Sequence, residues 1–440
     1  MDLDGFSGTR RTYQRQGHNQ LGNDAKQQKV CFHWRAGKCT RVPCPFLHRE
    51  LPPPPSSTSS APSNGLSTKR GHTGDNEFYA PATYRRSHNA SFNNGGASSW
   101  GGRSNTNNGY KRVFQKVEKL CNYWAQSNCS YGDKCKFLHV WSLGDSFSLL
   151  TDLDGHKMRV TGIAMSADKL YTGSQDRTCR VWDANSGQCL GEVNVGDEVG
   201  CVLCEGPWVF VGVRDYVKAW NTQINAEHSL PGPVGQVYAL AVGNEFLFAG
   251  AQDGKILAWK FNVATNNFEP AASLIGHSVT VVALIVGANK LFSASMDNSI
   301  RVWNLDTLQC TQTLTEHSAV VMSVLCWDQY LLSCSLDKTI KVWAATDNGS
   351  LEVTYTHTEE QGLISMCGMP DAEGKPVLLC SCNDNIIRLY DLPSFSERGK
   401  IFSKQEIRSI HAGPGGLFFT GDGNGQVRVW QFVSTPNPTQ

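Results

Sequence analysis

Eight residues in the first third of the chain have the types and spacing of metal ligands. Cys31, Cys39, Cys44 and His48 form a C-x7-C-x4-C-x3-H set, and Cys121, Cys129, Cys135 and His139 form a C-x7-C-x5-C-x3-H set. Three thiolates and an imidazole supply the tetrahedral shell that Zn2+ takes at about 2.0–2.3 Å. Each segment has fewer than ~30 residues, too few for a core, so the metal must contribute most of its folding free energy. Both sets carry a Trp three residues after the first Cys (Trp34, Trp124) and end in Phe-Leu-His. Two structural zinc ions per chain are therefore expected. Four protein ligands close each site, which excludes the open coordination position of a catalytic zinc.

Other residues lie between the ligands. Arg35, Lys38, Arg41, Lys134 and Lys136 can hold phosphates, and the aromatics can either stack on bases or cover the ion. Trp34, Tyr123 and Trp124 are read as cover, the tryptophans most firmly. At these motifs the sequence resembles the CCCH zinc-finger family, whose members commonly bind RNA. The resemblance implies that aromatics in the last two loops, here Phe46, Tyr131 and Phe137, stack on unpaired bases. The first finger departs from that pattern, because Thr40-Arg41-Val42-Pro43 has no aromatic. Protein binding by the fingers is the competing reading.

Charge supports a division of labour. Residues 1–140 hold 20 Lys and Arg against 8 Asp and Glu, a net of +12, while residues 141–440 hold 20 against 31, a net of −11. Such asymmetry suggests one half facing nucleic acid and another facing something else. The polar start, Met1-Asp-Leu-Asp-Gly-Phe6, is unlike a signal peptide. The longest largely apolar run, 279–288, is far short of the ~20 residues of a membrane helix. An intracellular protein of nucleus or cytoplasm is expected, its 16 cysteines ligands or buried thiols rather than disulfides. Cys201-Val-Leu-Cys204 sits in an apolar strand pattern and is read as buried thiols.

The elements that must carry these motifs divide into a tail at 1–26, the first finger at 27–49, a Ser/Asn/Gly/Pro-rich linker at 50–116, the second finger at 117–142 and a repeat array at 145–435. The linker has too few aliphatics to build a core and is expected to be disordered. At ~67 residues it spans roughly 45 Å, so the two fingers are expected to act as independent modules, each folding on its own metal.

The array repeats a fixed grammar. His156, Thr172, Asp176 and Trp182 recur at identical spacing as His277, Ser293, Asp297, Trp303 and as His317, Ser333, Asp337, Trp343. With Trp220, Trp259, Tyr390 and Trp430 the anchors lie 38, 39, 44, 40, 47 and 40 residues apart, the period of four-stranded propeller blades. The array resembles WD40 repeats, and the resemblance implies that each His, Ser/Thr, Asp and Trp set is a buried hydrogen-bonded tetrad. A buried Asp must be hydrogen-bonded, so these residues are structural, and no residue is assigned a catalytic role. Blade two departs with Arg214 and Phe210 in the Asp and Ser/Thr positions, and blade seven with Asn424 in the Asp position. Blade seven lacks an outer strand of its own, so Ser146 to Thr151 is expected to close the ring. A propeller starting at residue 145 should then be complete.

The expected fold class is all-β: a seven-bladed WD40-type β-propeller preceded by two small Cys3His zinc fingers and a disordered linker. The whole chain resembles the plant CCCH zinc-finger WD40-repeat proteins. The leading reading is a non-enzymatic adaptor whose fingers bind single-stranded RNA while the propeller recruits proteins. DNA binding is the nearer alternative, disfavoured because the fingers offer no evident helix for a major groove. A substrate receptor of a ubiquitin ligase is the more distant one. It lacks the Trp-Asp-x-Arg docking motif, since the corresponding tetrapeptides begin at Trp182, Trp303 and Tyr390 and none contains the Arg.

Overall fold

The computed structural model describes residues 116–144 and 146–433. Cys31, Cys39, Cys44, His48, Phe46, Arg35, Lys38, Arg41 and the linker up to residue 115 lie outside the described residues. No helix among the described residues is long and apolar enough to cross a membrane.

The first complete blade shows how the sequence builds the rest. Strands Val160–Ser166, Lys169–Ser174, Thr178–Asp183 and Cys189–Asn194 pair antiparallel in order. The second strand is buried from Leu170 to Ser174, whereas the fourth is mostly exposed. This gradient follows from a sheet whose inner strands are sandwiched between neighbouring sheets and whose last strand faces solvent. The tetrad Asp also sets the turn between the second and third strands. Asp176 accepts the Thr178 N–H at 3.0 Å, and Arg177 between them takes a φ of 70°. The same left-handed turn follows Asp297, Asp337 and Asp384, at Asn298, Lys338 and Asn385. The Asp is therefore a turn former as well as a tetrad member.

Four-stranded sheets of the same order run through 281–314 and 321–358. Between 201 and 274 a seven-stranded sheet forms because Ala226–Gly243 runs on for 18 residues. Its first part pairs with Arg214–Asn221 and its second with Phe246–Ala251. Innermost strands pack against one another around the ring, and Ile407–Ala412 meets Val160–Ser166 to complete the circle.

The last sheet has only three strands from its own end of the chain, Ile407–Ala412, Leu417–Asp422 and Val427–Phe432. Its fourth is Phe147–Leu153, in a register that runs from Phe432 opposite Phe147 to Val427 opposite Leu153. The closing strand thus extends two residues past the expected Thr151. Phe147 packs edge-on against Phe418, Trp430 and Phe432, which covers what would be an open sheet edge.

Ser142–Leu143, ahead of residue 145, adds a fifth strand to the 363–402 sheet, Leu143 opposite Lys400 and Ser142 opposite Ile401.

Candidate metal centre and its mounting

Around the second Cys3His set the chain is almost all turn. Strand Val117–Leu120 pairs in parallel with Phe137–Leu138, Cys121 N–H donating to the Leu138 carbonyl at 2.9 Å. Short 3-10 turns at Trp124–Gln126 and Gly132–Lys134 fold the intervening loops back. The result brings Cys121, Cys129, Cys135 and His139 together, with one ligand atom from each within 4.8 Å of the others.

The donors fit zinc. Cys121 and Cys135 Sγ are 3.7 Å apart, against an edge of about 3.8 Å for a tetrahedron with Zn–S near 2.3 Å. His139 Nε2 is buried and has no hydrogen-bond partner, an orphan that an ion would satisfy. Burial disfavours the Cys121 thiolate, but the Trp124 backbone N–H at 3.4 Å and the His139 and cysteine side chains outweigh it, bringing the thiol down to about 7. Cys135 is raised: the Phe137 backbone favours its thiolate, but burial and the neighbouring Cys121 and Cys129 sulfurs prevail. Crowded thiols that resist joint ionisation are what a divalent cation relieves.

Trp124 covers the site as expected of it. Its indole lies parallel to the His139 imidazole, with centroids 5.7 Å apart and an interplanar angle of 9°, and touches Trp141 at 5.1 Å. Tyr123 does not share that role, being 66% exposed.

The second finger packs on the propeller. Leu120 and Leu138 form a buried cluster with Phe402 of the 363–402 sheet, flanked by Trp124, Trp141 and Leu143. Phe402 N–H donates to the Trp141 carbonyl at 2.8 Å, and Lys400 Nζ meets Glu118 Oε2 at 2.8 Å. The Arg428 guanidinium lies 3.9 Å from the Trp141 ring centre. Linker length alone did not reveal this, because the finger's apolar partners come from Phe402 and Ile386, far away in sequence.

The predicted base-stacking residues point outward. Tyr131 is 69% and Phe137 42% exposed, and Lys134 and Lys136 are exposed beside them in sequence. Val117, directly opposite Phe137, is exposed too. Among the described residues neither Lys134 nor Lys136 pairs with an acidic side chain.

The three full tetrads are assembled. His156 contacts Asp176 at 3.0 Å and Thr172 at 2.8 Å, and Trp182 Nε1 donates to Thr172 at 2.8 Å. His277 repeats this with Asp297, Ser293 and Trp303 at 2.9, 2.7 and 2.9 Å, and His317 with Asp337, Ser333 and Trp343 at 2.8 Å throughout. An indole N–H can only donate, so the hydroxyl accepts from Trp and donates to His Nε2. That leaves His Nδ1–H for the carboxylate. Burial pushes all three histidines below their usual range, outweighing the attraction of Asp176, Asp297 and Asp337.

The departing blades use substitutes that spacing did not reveal. Where other blades put His and Asp, blade two puts Asp197 and Arg214, 3.6 Å apart with their charges exchanged. The 363–402 sheet has Glu359 in the His position. It accepts from the Tyr390 hydroxyl, while Arg388 bridges Glu359 at 3.5 Å and Asp384 at 2.8 Å. In blade seven Asp422 acts in place of Asn424 and accepts from Ser403 at 3.0 Å, while Trp430 donates to Thr420 at 3.0 Å. Cys201 and Cys204 are free thiols, both pushed up to about 12 by burial.

Comparison with known proteins agrees with both halves. The family model described as zinc finger C-x8-C-x5-C-x3-H type matches residues 118–140, and the WD domain, G-beta repeat model matches 147–183, 268–304 and 308–344. Zinc finger CCCH domain-containing protein 48 of Arabidopsis thaliana is 62% identical over 442 residues, covering 100% of this chain and 99% of its own. Zinc finger CCCH domain-containing protein 17 of Oryza sativa subsp. japonica is 56% identical, with 100% of both covered. Among solved structures, the WD40 β-propeller domain of Doa1 aligns with a TM-score of 0.56 at 20% identity, covering 67% of this chain and 98% of that one. The last likeness concerns the fold alone. The chain belongs to the plant family of CCCH zinc-finger proteins with a WD40 propeller.

Proposed function

We propose that the protein is an RNA-binding adaptor. Cys121, Cys129, Cys135 and His139 hold one structural zinc ion, and Cys31, Cys39, Cys44 and His48 hold a second. Tyr131 and Phe137 stack on unpaired bases, and Lys134 and Lys136 hold the phosphates. The joint exposure of Tyr131 and Phe137 beside the exposed Lys134 and Lys136 carries this reading, because it puts base-stacking rings and phosphate-holding cations side by side in sequence. Phe46, Arg35, Lys38 and Arg41 serve the first finger in the same way.

The propeller is the protein-recruiting half. Counting the seven-stranded sheet as two blades that share Ala226–Gly243, the ring has seven. Its inner strands leave a cavity of about 260 Å3 with polar walls at Arg159, Arg214 and Gln236 and apolar ones at Tyr238, Met296 and Met322, suited to a side chain or loop of a protein partner. The chemistry is binding rather than catalysis, because each His–Asp pair is engaged in a tetrad. An intracellular site of action follows from the same reading.

RNA is preferred to DNA because the finger's elements are two short strands and two 3-10 turns, none able to fill a major groove. Full-length protein titrated with a single-stranded RNA and a duplex DNA of equal length tests the preference. Tighter binding of RNA is expected, and tighter binding of duplex DNA would overturn it.

A further inference from the structure

The segment that carries the second Cys3His set also carries the strand that closes the propeller. In chain order come the four ligands, Ser142–Leu143 on the 363–402 sheet, and Phe147–Leu153 on the 407–432 sheet. Two sets of contacts tie the ligands to the ring. Leu120 and Leu138 cover Phe402, which is 1% exposed. A run of contacting groups then leads from His139 to Trp124, to Trp141 and to Arg428. Arg428 in turn donates from Nε to Asp152 on the closing strand at 3.0 Å.

We propose that the zinc site of the second finger is the clasp of the propeller: by holding His139 and packing Leu120, Leu138 and Trp124 in place, it keeps the closing strand on the last sheet. The proposal rests on the reading that Cys121, Cys129, Cys135 and His139 hold zinc. The physical reason is tethering. A strand whose preceding segment is anchored on the neighbouring sheet stays at high effective concentration beside its own edge, so transient release is rapidly reversed. Without the ion the finger has too little core to stay folded. Phe402 then loses its cover, and Ser142–Leu143 is left as a two-residue strand with nothing behind it. The closing strand keeps its own ladder, so the ring opens locally and more often rather than unfolding.

Hydrogen exchange on the full-length chain tests this, read in peptides covering 147–153 and 427–432, with the zinc count of each sample taken from its native mass. Cys135→Ser should lose one ion and speed exchange in both peptides about tenfold. Cys44→Ser should leave both at the wild-type rate. Phe402→Ala should keep its zinc, exchange faster than wild type, and respond little when zinc is then stripped. Chelation of folded wild-type protein should reproduce the Cys135→Ser rates, which covers a variant that fails to fold. Loss of the ion with unchanged exchange overturns the clasp, as does equal acceleration by Cys44→Ser. A Cys135→Ser protein that keeps its full zinc count instead overturns the zinc assignment beneath it.

Discussion

Arg428 and Trp141 join the finger segment to the last sheet: the guanidinium sits 3.9 Å from the ring centre, and Arg428 is nearly fully buried. Trp141 also touches Trp124. Trp141→Ala should therefore cost about 2–3 kcal/mol, from a desolvated cation–π contact plus an aromatic pair. Urea unfolding of the full chain measures it. A change below ~0.5 kcal/mol, usual for a surface substitution, would mean that the stack contributes nothing.

In the first blade, Thr172 stands between two buried ring nitrogens, Trp182 Nε1 and His156 Nε2. Thr172→Val keeps the volume but leaves both without a partner, so a loss of about 2–4 kcal/mol is expected. Thr172→Ser retains the hydroxyl and should recover most of it. Equal stability of the Val and Ser variants would contradict the tetrad as an energetic unit.

The buried histidines set the response to acid. His156, His277, His317 and His411 are all held below the ordinary 6.5, chiefly by burial. An unfolded chain therefore takes up protons near pH 6.5 that the folded chain refuses, and stability falls as pH drops through that value. Asp176, Asp297 and Asp337 act lower. Burial opposes their charge, but hydrogen bonds from Thr178, Ser299 and Thr339 and from the histidines keep them below 3.8. They add a second loss below that pH. Each histidine contributes a slope of up to about 1.4 kcal/mol per pH unit. Unfolding measured between pH 7.5 and 5 should show the decline, shallower in His277→Asn by one proton. A flat profile, or one unchanged by the substitution, would contradict it.

Tyr390 gives the departing blades a test. Its hydroxyl donates to Glu359, a carboxylate only 8% exposed. Tyr390→Phe removes that donor and should cost about 1.5–3 kcal/mol, as for a hydrogen bond to a charged group. If Arg388 alone satisfied Glu359, the variant would be as stable as wild type.

The regular blades were legible because their chemistry is local: His156, Thr172, Asp176 and Trp182 meet within one sheet, so their partners recur at fixed spacing. The sheets that carry Trp220, Tyr390 and Trp430 hid theirs because other pairs fill the place, Asp197 with Arg214 near the surface and Glu359 with Tyr390 and Ser403 with Asp422 in buried slots. Such exchanges preserve complementarity while erasing the motif. The closing strand was visible as an unpaired remainder, although its end fell at Leu153. The finger's mounting was not visible at all. It depends on Phe402 and Arg428, more than 250 residues from Leu138 and Trp141, and on a two-residue strand too short to show periodicity.

RNA affinity of the Tyr131→Ala, Phe137→Ala double variant, at two salt concentrations, tests the central claim most directly. Neither residue is a ligand, so the zinc count should match wild type. Loss of two stacking platforms at about 1–3 kcal/mol each should weaken single-stranded RNA binding by several kcal/mol with little change in salt dependence. Replacing Lys134 and Lys136 should instead flatten the salt dependence, since phosphate contacts act through counterion release. An aromatic double variant that keeps its zinc and binds RNA like wild type would contradict the account and favour protein recruitment by the finger.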